Sequence, residues 1–198
     1  MAQQQHVLTF VSIDRVPPRV PLCDPDRSDV VVRRIIRRRA RDASRVQGGE
    51  QWLATLDRVL LHSPPLAAGW SDFFGAIRDE MTVTARLREI AILRVANLNG
   101  DTHNRWHHEE IARQSGFTEA EILALRNRAL PTEFSDLERA VLAYADALTV
   151  DVKVDEAVFA AVRDLVTTRE MVEITGIIAS YNCVSRFLVG MGIDREIE

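Results

Sequence analysis

From Trp52 to Val189, apolar side chains recur at three- and four-residue intervals, and the pattern is broken at short intervals by Gly, Pro or a capping residue. This periodicity predicts consecutive helices. The first runs from Trp52 to Leu61, and Pro64-Pro65 open a second that reaches about Met81. Thr84 caps a third through Asn97, stopped near Gly100, and a fourth begins at Asp101 or Thr102 and ends near Gly116. Thr118 to Leu130 follows, ended by Pro131. Ser135 and Glu138 have capping-box spacing and open a helix to about Thr149; Asp155 opens another to about Val166. The last runs roughly from Thr168 to Val189. No segment sustains the period-two alternation of a half-buried strand, so the fold class is all-α, with short loops joining antiparallel helices.

The first 50 residues read differently. Pro17, Pro18, Pro21 and Pro25 make residues 1–25 an extended arm. From Ser28 to about Val46, Val31, Val32, Ile35, Ile36 and Ala40 keep a helical spacing among arginines, eight of which lie between Arg27 and Arg45 against Asp29 and Asp42. A basic helix is expected there, read as a solvated face pairing with acidic surface of this or a neighbouring subunit. Residues 26–198 are read as a single helical domain.

Composition narrows the chemistry. The 198-residue chain is 46% hydrophobic and 27% charged, with a formal net charge of −4, which offers no general attraction to nucleic acid or an anionic membrane. The longest apolar candidate, Ile90 to Leu98, is interrupted by Arg94 and is too short to span a bilayer, and the N-terminus has no basic residue before its short apolar run, so a cytoplasmic location is expected. Cys23 and Cys183 belong to no CxxC or Cys/His cluster, which disfavours a disulfide scaffold or a thiolate metal site. Lys153 is the single lysine, on a polar turn, and Schiff-base chemistry is set aside.

Three of the five histidines lie within the segment Gly100-Asp-Thr-His-Asn-Arg-Trp-His-His-Glu-Glu. On a helix turning about 100° per residue, Asp101, Asn104 and His108 share a band about 60° wide, with His103 and His107 on the adjoining side. Glu89 stands at the polar entrance to the apolar run of the preceding helix, where burial and an imidazolium would move its pKa in opposite directions. Each residue has a structural alternative. Asp101 is well placed as an N-cap, Glu89 to pair with Arg86 or Arg88, and His107 or His108 as an ordinary exposed helix position. His103-x-x-x-His107 has the spacing of two imidazole ligands, but Asn104 stands where the metalloprotease pattern needs Glu, so no metal is expected.

Three blocks carry a family resemblance: LLHSPPLAAGWSDFF, ARLREIAILRVANLNGDTHNRWHHEEIA and SYNCVSRFL. In this order, over about residues 52–188, they resemble the carboxymuconolactone decarboxylase and alkyl hydroperoxidase D superfamily. The resemblance implies its helical bundle and a homo-oligomer: a dimer, trimer or hexamer. In the redox branch a glutamate is followed, after eleven residues, by Cys-x-His-Cys and, after three further residues, by a histidine. Counted from Glu89, the cysteine positions are Asp101 and Asn104, while His103 and His108 match the histidines. Both thiols are missing, which disfavours a thiol peroxidase. The resemblance to the non-redox branch implies a cofactor-independent decarboxylase or lyase acting on a small organic acid, lactone or carbonyl compound. It assigns acid–base roles to Glu89 and His108 and a relay or donor role to His103. Asp101, Asn104, His107 and Arg186 become candidate substrate contacts, with Arg88 and Arg94 as further carboxylate receptors. An isomerase or cyclase using the same residues, and a non-catalytic binding or scaffold protein, stand as alternatives.

Overall fold

The computed structural model describes residues 17–40, 53–127 and 134–194, and these contain helices and no strand. In chain order the helices are α1 (Val30–Ala40), α2 (Thr55–Leu60), α3 (Pro64–Asp79), α4 (Ala85–Leu98), α5 (Thr102–Gln114), α6 (Glu119–Leu125), α7 (Asp136–Val150), α8 (Glu156–Arg163) and α9 (Thr168–Met191). The sequence boundaries fall close to these. The exception is α6, which ends at Leu125 with Arg126 as its C-cap, five residues before the stop that Pro131 predicts. The continuation of α1 toward Val46, together with Trp52, Leu130 and Pro131, lies outside the described residues.

Local chemistry explains the starts. Thr84, Thr118, Ser135 and Thr167 each accept the backbone N–H three residues on, and at the last three Glu121, Glu138 and Glu170 reach back to complete capping boxes. Asp155 stands at the N-cap of α8, although its side chain makes no cap hydrogen bond.

Helix α4 is the central element, packed on α5, α7 and α9. Its run Ile90–Ala96 is buried on every side, which explains why it lacks a polar stripe. Arg94 is buried there as well, tolerated because Asp146 of α7 neutralises its guanidinium and the carbonyls of Leu125 and Asn127 accept from it. Helix α9 carries the other half of the core through Ile174, Ile177, Ile178, Val184 and Leu188. By length and composition alone α9 is apolar enough to cross a membrane, so among the described residues the longest apolar element lies there and not at Ile90–Leu98 as the sequence suggests.

Residues 17–25, the described part of the N-terminal arm, are docked, where the sequence predicts an unpacked extension. Arg19 N–H donates to Met191 O at 2.8 Å, Cys23 exchanges backbone and side-chain bonds with Arg58, and His62 Nε2 lies 2.7 Å from Pro21 O. The basic helix finds its acids within the subunit: Arg34 pairs with Asp72 of α3, and Arg38 donates to the carbonyls of Ser71 and Asp72. Gly75 makes this close approach possible, because a Cβ there would sit 1.7 Å from the Arg38 guanidinium.

Candidate active site

The turn between α4 and α5 sets the site. Gly100 takes a positive φ of 66°, which L side chains rarely adopt, and folds α5 back along α4. Asp101 then begins α5 with its Oδ1 accepting the Asn104 N–H at 2.9 Å. Its Oδ2 accepts from Asn104 Nδ2 at 2.7 Å, so the two residues at the thiol positions are bonded to each other. Asp101 is therefore an N-cap, as its position suggested, and one amide hydrogen of Asn104 is committed to it.

Two turns along α5, His108 meets Glu89 of α4. The Nδ1–Oε2 distance is 2.6 Å, and both side chains are almost fully enclosed, at 3% and 1% exposure. Burial alone would raise the Glu89 carboxyl, but the charge and hydrogen bond of His108, helped by Arg88, outweigh it and hold the group below its usual value. Arg88 Nε lies 3.4 Å from Glu89 Oε1, while Arg86 turns away to Glu121 and Glu138. Of the two partners expected for Glu89, the structure selects Arg88.

On its far side His108 Nε2 lies 3.1 Å from the hydroxyl of Tyr181, a buried residue of α9. The two rings meet edge to face at 5.1 Å, and Phe74, Trp70 and Phe187 continue an aromatic wall from Tyr181. Tyr181 lies in the third family block, and the sequence reading assigned it no role. Its only sequence signal is its place in that block, because the contact spans 73 positions.

The remaining candidates separate. His107 is half-buried with its ring edge to face against His108 at 5.4 Å. His103 is buried on α5, about 140° around the helix from His108, so it does not share that residue's face. Arg186 is exposed and donates to the carbonyl and side chain of Asn182, one turn back on α9. Arg94 is held by Asp146 inside the core, whereas Arg186 bonds one turn back within its own helix. Among the described residues no group of three or more His, Cys, Asp or Glu side chains is arranged to hold a metal ion. Cys23 and Cys183 are free thiols, half-buried and exposed respectively.

Residues 64–147 match the model of the Carboxymuconolactone decarboxylase family, a span from α3 into α7 that contains Glu89, Asp101, Asn104 and His108. None of the curated proteins matches the chain. Among solved structures, an alkylhydroperoxidase AhpD core protein from Ralstonia eutropha, described as peroxidase-related, is 18% identical with a TM-score of 0.73, covering 90% of this chain and 92% of its own. The debrominase Bmp8 in complex with 2,3,4-tribromopyrrole is also 18% identical, with a TM-score of 0.70 and coverages of 87% and 90%. The Agrobacterium tumefaciens protein ATU0492 is 22% identical with a TM-score of 0.65, covering 71% of this chain and 97% of that one. At these identities the likeness is one of fold.

Proposed function

We propose that this chain is a member of the carboxymuconolactone decarboxylase and alkyl hydroperoxidase D superfamily that lacks the paired thiols, a reading supported by the family match over residues 64–147 and by the shared fold, and that it is an acid–base enzyme of small-molecule metabolism working without a cofactor. The reaction is decarboxylase- or lyase-like, on a small organic acid, lactone or carbonyl compound. Isomerisation or cyclisation would use the same proton transfers. The observation that carries the reading is the enclosed Glu89–His108 pair at 2.6 Å. A carboxylate accepting Nδ1–H fixes the imidazole orientation and leaves Nε2 as the nitrogen that takes or returns a proton. Dithiol chemistry has no counterpart, because the residues at the two thiol positions are an oxygen acid and an amide bonded to each other.

In this reading Asn104 orients a substrate oxygen with its remaining amide hydrogen. His107 lines the approach beside His108. The chain works as a homo-oligomer in the cytoplasm, without nucleic-acid or membrane partners. Its free, separate cysteines suit a reducing compartment.

Solvent deuterium exchange into a panel of lactones and keto acids, followed by proton NMR, tests the assignment. The parent protein is expected to exchange the acidic C–H of at least one member, and Glu89→Gln or His108→Ala to slow it by roughly 10²–10⁴-fold, the usual worth of a positioned acid–base group. Exchange unchanged in both variants would sink the reading. A parent that binds members of the panel without turning them over would favour the non-catalytic binding alternative.

A further inference from the structure

Both ring nitrogens of His108 are occupied inside the protein, Nδ1 by Glu89 at 2.6 Å and Nε2 by the Tyr181 hydroxyl at 3.1 Å. An imidazole has no third nitrogen to offer a substrate. The group that stands beyond it in the hydrogen-bonded line is the phenol.

A second observation lies on the same face of α9. Ser185 is one turn beyond Tyr181, about 40° around the helix. Its hydroxyl is fully buried and has no hydrogen-bond partner. A buried hydroxyl left unpaired costs free energy, and such groups are places where a bound molecule supplies the missing partner.

Resting on the acid–base reading of the site, we propose that Tyr181 is the catalytic acid and base that touches the substrate. Glu89 and His108 are then positioning residues supplying its proton, and the substrate presents an enol or phenol oxygen to the Tyr181 hydroxyl. A phenol titrates near pH ~10 in its unperturbed form, close to enols and other phenols, so proton exchange between such oxygens is nearly balanced in free energy. In the protonation direction, the Tyr181 O–H bond breaks and its proton bonds to the enolate oxygen, the electron pair staying on the tyrosine oxygen. Nε2–H of the imidazolium then gives its proton to that oxygen, leaving a neutral imidazole whose Nδ1–H stays on Glu89. The reverse sequence removes a proton from the enol, and no oxidant or reductant enters. Ser185 contributes a second hydrogen bond to the same molecule.

The test uses the full chain and 4-nitrophenol, whose absorbance reports its ionisation. The parent is expected to bind the phenolate form, Tyr181→Phe to weaken binding by about ten-fold or more, and Ser185→Ala by a smaller factor. Tyr181→Phe keeps the ring and its packing, and circular dichroism checks that it folds. In the lactone exchange assay Tyr181→Phe should fall to the level of His108→Ala and lose the alkaline limb of the pH profile. Failure of the parent to bind the probe would overturn the proposal, as would binding and exchange that survive in Tyr181→Phe. The acid–base reading would still stand in either case if His108→Ala abolishes exchange, so the two failures are distinguishable.

Discussion

Glu89 illustrates how one residue serves two ends. Its carboxyl is held below the usual range because His108 and Arg88 outweigh the cost of burial. A depressed folded-state pKa contributes stability that is complete above the unfolded-state value and is lost as the pH falls through the folded one. Removing the imidazole leaves a nearly enclosed carboxylate with only the longer Arg88 contact. His108→Ala is therefore expected to cost about 3 kcal/mol, and adding Glu89→Gln to recover part of that loss, because the second change removes the uncompensated charge. Urea unfolding of the two variants checks it; equal stability of single and double variants would count against the pair as an electrostatic unit. Asp101 and Asn104 make the complementary point, since two residues read as substrate contacts spend hydrogen bonds on each other and on the start of α5.

At the scale of elements, the α3–α4 turn depends on a residue far away in the chain. Glu173 of α9 accepts from Thr82 N–H, Thr82 Oγ and Val83 N–H with one oxygen and from Arg169 with the other. Burial would raise its carboxyl, yet these four donors bring it down to about 2. The sign is the same as for Glu89: the contribution is whole above about pH 4.5, the ordinary carboxyl value, and fades as pH falls from there toward about 2. Glu173→Gln is expected to lower the melting temperature at pH 7 and to flatten its decline between pH 4.5 and 2. Thermal melts across that range measure it, and a variant with the parent's acid profile would exclude this turn as a source of acid lability. Glu173 drew no attention in the sequence, where it reads as one more charge near a helix start.

For the whole molecule, the arrangement of charge and apolar surface matters more than the net charge of −4. Arg34 and Arg38 of α1 are answered by Asp72 and by carbonyls of α3, and Arg86 joins the starts of α4, α6 and α7 through Glu121 and Glu138 while lying over the Phe117 ring. Among the described residues, Leu66 and Phe73 of α3 are 46% and 51% exposed and share one face with the half-buried Trp70, forming an apolar stripe. We expect this face to join copies of the chain. Sedimentation should give a mass above the 22.3 kDa monomer, and Phe73→Asp together with Leu66→Asp should return it to that value. A monomeric parent would remove the homo-oligomer from the proposed function.

Most of the architecture was legible because helix formation is local. Apolar spacing, Thr and Ser caps with a Glu three residues on, and Gly or Pro at the ends are written within a few positions of where they act, and α4, α5, α7, α8 and α9 fall near their expected bounds, whereas α6 stops short of its expected end. The spacing from Glu89 to His108 also pointed to the buried pair, once the family resemblance supplied a template for it. Tertiary packing alone decided the rest. It chose Arg88 over Arg86 for Glu89, committed Arg94 to Asp146 and Arg186 to Asn182, and laid Tyr181 against His108. These outcomes depend on how α4, α5, α7 and α9 cross, and periodicity within one helix reports which face is buried without reporting which neighbour is buried against it.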